Sequence, residues 1–295
     1  MKPVRRSVVL LAAAIGLSCR GEKRPPARES ATATPAAVPE STTAAPAAWN
    51  PTAGPVLLVV ADTPTHAFVL LPTGTSESAL AAIPQPASVT LFSRSGTVQR
   101  ADLRALPDSA ACSLASLDAA PPPRPWNVGF IGGVVAPVPV DSTESLSPAD
   151  SSALVTWLNR MASGLPNDSA GRFSGLPFLV RNIWRFTLPN GPQVLAGTLV
   201  RQINQEATPL QERTFVLGER APGDSNFVLT YSERSIGDEE TVESTELLAA
   251  VVLGDSRRGA IIVGRDFGNA TGFGLIERGD DRRWHSRWSS SRRHC

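Results

Sequence analysis

The stretch FLVRNIWRFTLPNGPQVLAGTLVRQI, residues 178–203, decides the fold. Phe178, Val180, Trp184 and Phe186 share one parity, so a regular strand puts all four on one face. Asn190–Gly191 is turn chemistry, and Gln193 to Ile203 then resumes as a second extended run. Two such runs around so short a connection form an antiparallel hairpin. Downstream, Leu210 to Gly218, Asn226 to Glu233 and Thr245 to Leu253 follow at hairpin spacing. The turn-forming APGDSN (221–226) and SIGDEE (235–240) separate them. Ala260 to Val263, Phe273 to Glu277 and Trp284 to Trp288 close the series. No strand alternates with a helix here, which excludes a doubly wound parallel sheet.

Upstream the same signals recur in shorter form. Val56 to Val60, His66 to Leu71 and Val89 to Ser93 are strand candidates, and SVTLFSRSGTVQRA (88–101) turns at Arg94–Gly96. From Asp102 to Pro125 the pattern reads as a long irregular connection containing Cys112 and PPPRP. Trp126 to Val140 resumes extended structure, and Pro137 and Pro139 suit an edge strand. One helix stands out. Ser147 is its N-cap, Pro148 its first residue, and Asp150 sits in its first turn. Leu154, Val155, Leu158, Met161 and Leu165 make one apolar stripe, and Gly164 or Leu165–Pro166 ends it. The expected fold class is mainly β (α+β), antiparallel sheets with one amphipathic helix at 148–163.

The front of the chain is different in kind. Lys2, Arg5 and Arg6 precede an apolar run from Ser7 to Leu17, then small residues and Cys19. That run is shorter than the roughly 20 residues of a spanning helix and has the layout of a secretory signal. Residues 20–54 carry Pro, Ala, Thr, Ser and Glu, with almost no large apolar side chain before Trp49. Such composition buries too little surface to offset its ordering entropy, so it reads as a disordered tether. The organisation is therefore 1–18 signal peptide, 19–54 tether, 55–141 N-terminal β lobe, and 142–295 helix plus antiparallel β lobe. The whole chain has 28 basic and 27 acidic residues, and this balance gives no electrostatic case for nucleic acid.

Leu17, Ser18 and Cys19, with Gly16 before them, resemble the lipobox of bacterial lipoproteins. The resemblance implies cleavage before Cys19 and lipidation of its thiol, palmitate included. Arg20 follows the cysteine where an inner-membrane retention signal has Asp, which implies delivery to the outer membrane. Several acyl chains anchor firmly, at about 0.8 kcal/mol per buried CH₂. Cleavage after a small residue by the ordinary signal peptidase, with no lipid, is the alternative. With Cys19 lipidated, Cys112 and Cys295 remain as an even pair in an oxidising compartment, and a disulfide between them is expected. Closing a loop of roughly 180 residues contributes about 5 kcal/mol in the chain-entropy model. Two free thiols are the other possibility.

Catalytic signatures are meagre. His66, His285 and His294 share no metal-ligand spacing with a Cys or carboxylate. GRFSG (171–175) places Ser174 one residue too far from its first glycine for a nucleophile elbow, and reads as a turn. GRDFGNATGFG (264–274) lacks the P-loop Lys and the dinucleotide spacing, and reads as a hairpin turn at Gly268–Gly272. Asp238, Glu239 and Glu240 read as a solvated turn rather than opposed catalytic acids. No catalytic, cofactor-binding or metal residue is expected. Arg282 to Arg293 holds five arginines and no acid. On a regular strand Trp284 and Trp288 face one way, His285 and Arg287 the other. Arg282, Arg283 and Arg287 are thus either an exposed polar face or a patch for an anionic glycan or lipid, or for an envelope protein.

Residues 246–288, ELLAAVVLGDSRRGAIIVGRDFGNATGFGLIERGDDRRWHSRW, resemble a degenerate repeat of the FG-GAP/VCBS type. That family runs an apolar strand into an acidic calcium loop. Here Val252, Gly254 and Ser256 stand at the acid positions, so no calcium is expected. Taken together, the expectation is an exported, outer-membrane lipid-anchored protein with a non-enzymatic binding or scaffolding role. A secreted hydrolase without a readable motif, or an accessory subunit of an envelope complex, is the alternative.

Overall fold

The computed structural model describes residues 56–70, 87–105, 114–131, 135–166, 170–189, 191–203, 209–254 and 258–290. Cys19, Cys112, Cys295, His294 and the expected signal and tether lie outside them. The fold class is as read from sequence: mainly β, antiparallel, with one helix among the described residues.

Six short strands close into a barrel in the order β1–β2–β5–β4–β3–β6. These are β1 (Val56–Val60), β2 (His66–Leu70), β3 (Ala87–Phe92), β4 (Val98–Ala105), β5 (Leu114–Asp118) and β6 (Val128–Ile131). The β3–β4 hairpin turns where expected, with Ser93 N donating to Thr97 O. Strand β5 corrects the long irregular connection. LASLD has too few β-branched or aromatic residues to announce a strand, and non-local pairing with β2 and β4 makes it one. Val69, Val89, Leu91, Leu103, Leu117 and Trp126 fill the barrel.

Two five-stranded sheets follow. The first has the order β12–β11–β10–β9–β8, from β8 (Asp141–Ser142), β9 (Leu179–Thr187), β10 (Gln193–Ile203), β11 (Leu210–Arg220) and β12 (Val228–Asp238). The second has the order β16–β15–β14–β13–β7, from β7 (Val135–Val138), β13 (Ser244–Leu253), β14 (Arg258–Asp266), β15 (Thr271–Arg278) and β16 (Trp284–Ser289). Proline-bearing β7 is an edge strand, where a missing N–H disrupts least. Inner faces meet in a shared core of Trp184, Phe186, Phe215, Leu217, Leu247, Ile261, Val263 and Trp284. The outer face of the second sheet, through Val251, Ile262, Phe273 and Trp288, packs on Leu70, Phe92 and Phe130 of the barrel.

Helix α1 (Pro148–Ser163) covers the outer face of the first sheet. Ser147 caps it by accepting from Asp150 N, and Gly164 ends it. Its buried Leu154, Leu158 and Met161 each contribute roughly 1.5–3 kcal/mol of burial. Leu158 and Met161 rest on glycines of the sheet: a Cβ on Gly197 would lie 2.6 Å from Leu158 Cδ1, and one on Gly218 would fall against Met161 Sδ. Helix, sheet, sheet and barrel therefore stack in that order.

Two face assignments change. In β9, Thr198 pairs with Asn182 and Leu199 with Val180, leaving Arg181 as an extra residue. This bulge turns Phe178 and Val180 toward the helix while Trp184 and Phe186 stay between the sheets. In β16, Leu275 pairs with Trp288 and Ile276 with Ser286, so Arg287 bulges. Trp284 then enters the inter-sheet core and Trp288 the barrel contact. The two tryptophans are on opposite faces.

Candidate functional site

The sandwich is tied at both ends by charge, and a cleft opens at each. At the end of the β15–β16 turn, Glu219 of β11 accepts from Arg278 Nε at 2.6 Å and Nη2 at 2.9 Å, and from Trp284 Nε1 at 2.7 Å. Beside it lies a cleft of about 330 Å³, where Arg258, Arg278 and Arg282 surround Gly191 and Gly259. Arg258 is held by Asp280 at 2.8 Å.

The opposite end carries the larger cleft, about 510 Å³. It exists because inward positions that hold Phe, Val and Leu elsewhere in these strands are polar here. Thr198 of β10, Gln211 and Arg213 of β11, Glu233 and Ser235 of β12, Thr245 of β13 and Arg265 of β14 all line it. Glu233 is its centre. It accepts from Tyr231 Oη and Thr245 Oγ1, each at 2.8 Å, and from Arg265 Nη2 at 2.7 Å. Arg265 also lies 3.4 Å from Glu243. This knot joins β12 to β13 and β14 across the two sheets. Burial, then the negative charge of Glu233, pushes the Tyr231 hydroxyl well above the usual tyrosine range.

Arg213 holds the β12–β13 turn, donating to Gln211 Oε1, Val242 O and Glu239 O at 3.1–3.2 Å. The rim is set by the β9 bulge. Consecutive residues of a regular strand face opposite ways, yet Arg181 and Asn182 both line this cleft. Asn182 Nδ2 donates to Thr198 Oγ1 at 3.0 Å, and Arg181 has no ion-pair partner among the described residues.

Of the residues singled out from sequence, Glu239 lines the larger cleft and Arg282 the smaller, and the others sit elsewhere. Arg282 and Arg283 are exposed at the β15–β16 turn, where Arg282 has φ 62°. Arg287 is exposed 3.4 Å from Glu277. His285 Nε2 lies 3.0 Å from Asp281 Oδ2 on the same turn. Asp281 accepts from Arg283 N and from His285, and both hold its carboxyl below the ordinary value. His66 Nδ1 lies 2.8 Å from Thr63 Oγ1 on the barrel. Neither histidine lines either cleft. Ser174 N donates to Gly171 O in a turn between two left-handed glycines, as expected from sequence. Asp238 ends β12, and the turn after it carries Glu239 and Glu240. Gly268 turns β14 into β15 at φ 77°. Of the 246–288 segment, residues 255–257 lie outside the described residues.

A second buried charge cluster lies on the helix-side face. Glu212, fully buried, is 3.0 Å from Arg201 Nη2 and 3.2 Å from Arg234 Nε. Arg201 stacks 4.5 Å from the Phe178 ring and donates to Phe173 O, pinning the chain that leads from α1 to β9. Sequence reasoning missed both clusters. The available signal was polar residues at inward parity, such as Glu233 two residues after Tyr231. No protein-family model matches the chain, and no curated protein or solved structure matches it.

Proposed function

We propose that the chain is an exported envelope lipoprotein, held at the outer membrane by lipid on Cys19, whose folded body binds a partner or ligand rather than catalysing a reaction. The observation that carries the export reading is the basic cluster Lys2, Arg5 and Arg6, the brief apolar run after it, and the small residues leading to Cys19. The geometry favours binding over catalysis. Glu233, the carboxylate at the centre of the larger cleft, already accepts three hydrogen bonds, two of them on the oxygen that meets Arg265. A carboxylate so engaged is a poor general base, because its lone pairs are directed at fixed donors. Arg213 likewise donates to three protein acceptors, so the polar groups are held in place and rigid. The Cys112–Cys295 disulfide belongs to the same proposal, since export supplies the oxidising compartment.

The test is metabolic labelling with palmitate, followed by membrane fractionation in the native host. The wild type takes up label and sediments with the outer membrane, and Cys19→Ser is unlabelled and absent from the outer-membrane fraction. An unlabelled wild type in the cytosolic fraction would overturn the proposal.

A further inference from the structure

We infer that the cleft at the Glu233 end of the sandwich is a binding site for a neutral saccharide. This rests on the reading of the body as a binding module and names its ligand class. Three features carry it. The volume, about 510 Å³, lies within the roughly 300–1,000 Å³ of small-molecule sites. The lining is polar where such sites are ordinarily apolar, which disfavours an acyl chain or other greasy ligand. Four arginines line it, Arg181, Arg213, Arg234 and Arg265, against Glu233, Glu239 and Glu243; Arg234 is engaged by buried Glu212 at 3.2 Å, which leaves three charges of each sign facing one another. A balanced field gives no advantage to an anion or a cation, and it suits a ligand whose groups both donate and accept. Hydroxyls do both, and charge-assisted hydrogen bonds to them are strong.

The bulge in β9 supplies the reading groups. It forfeits regular ladder pairing at Arg181 and puts two adjacent side chains on one rim. Arg181 offers a planar fork of donors, while Asn182 keeps its amide oxygen as an acceptor because its Nδ2 is engaged by Thr198. Ser235 and Ser244 bring hydroxyls from the facing wall, and Val200 with Phe215 provides an apolar floor for the C–H face of a sugar ring. Bulges recur beside binding sites for this reason: they re-aim a side chain that a regular strand would turn away.

The experiment uses the full chain carrying Cys19→Ser, so that binding is read independently of the anchor. Maltose, cellobiose and N,N′-diacetylchitobiose are titrated, with glucuronate as the anionic arm, and backbone amide shifts are followed by NMR. At least one neutral disaccharide shifts the amides of Asn182, Thr198 and Ser235 at millimolar concentration. Arg181→Ala or Asn182→Ala weakens that binding at least tenfold with Tm unchanged, and Arg283→Ala at the far end leaves it intact. Absence of any shift with the three disaccharides overturns the inference, as does tighter binding of glucuronate or undiminished binding by the variant carrying both Arg181→Ala and Asn182→Ala. None of these outcomes bears on palmitate labelling, so a failed ligand leaves the anchor reading standing.

Discussion

Arg278 grips Glu219 through two guanidinium nitrogens, at 2.6 and 2.9 Å, and so joins β15 of one sheet to β11 of the other. Trp284 closes the arrangement by donating to the same carboxylate. The hydrogen bond to Glu219 raises the Arg278 pKa further, so the guanidinium stays charged. Removing the acid leaves a largely buried guanidinium and an indole N–H without their acceptor. Glu219→Ala is therefore expected to destabilise by about 3 kcal/mol, read as a lower urea midpoint at unchanged m-value. Glu219→Leu with Arg278→Met recovers most of the loss, because no charge is then stranded.

Tyr231 is the single tyrosine of the chain, so absorbance at 295 nm follows its ionisation alone. Burial and the adjacent Glu233 charge keep it protonated beyond about pH 10, where an exposed tyrosine ionises. The folded value is raised above the unfolded one, so the unfolded state releases its proton first. The stabilisation is complete below about pH 10 and declines as pH rises from there toward the folded value. Glu233→Gln removes the charge but not the burial, and moves the midpoint down part of the way.

Gly197 seats the helix. Its missing side chain leaves room for Leu158, which is fully buried. Gly197→Ala is expected to lower stability by about 1–3 kcal/mol, the range for overpacking a filled core, measured by denaturant unfolding. Gly171→Ala tests the other property of glycine, since that site is open and its φ is 62°. Its cost is expected near 1 kcal/mol, from backbone conformation alone.

Ser147→Ala removes the acceptor for Asp150 N at the start of α1 and is expected to cost about 1 kcal/mol. Ser147→Asp keeps the acceptor and retains stability, which separates capping from any packing effect in the same unfolding assay.

The helix was legible because everything that makes it is local. Cap, first-turn proline and apolar stripe lie within residues 147–165, and each acts on its near neighbours. Hairpins were legible for a similar reason, as at Arg94–Gly96 and Gly268. What sequence could not show depends on register between strands. Arg181 and Arg287 bulge because of how β9 and β16 pair, and each bulge reverses the faces that simple alternation assigns. Barrel closure through β1, β6 and β3 is likewise non-local, and strand β5 appears only with its partners. The cleft is the furthest from view. Glu233 and Arg265 are 32 residues apart, on strands of different sheets, and only the stacking of those sheets brings them to 2.7 Å.

Intact mass of the protein taken from its host membranes, with and without reductant and alkylation, tests the central claim. The account predicts a chain beginning at Cys19, heavier than its amino-acid mass by several acyl groups, with Cys112 and Cys295 alkylated only after reduction. A soluble chain still carrying Met1 to Ser18, with no lipid and both thiols open to alkylation from the start, would contradict it.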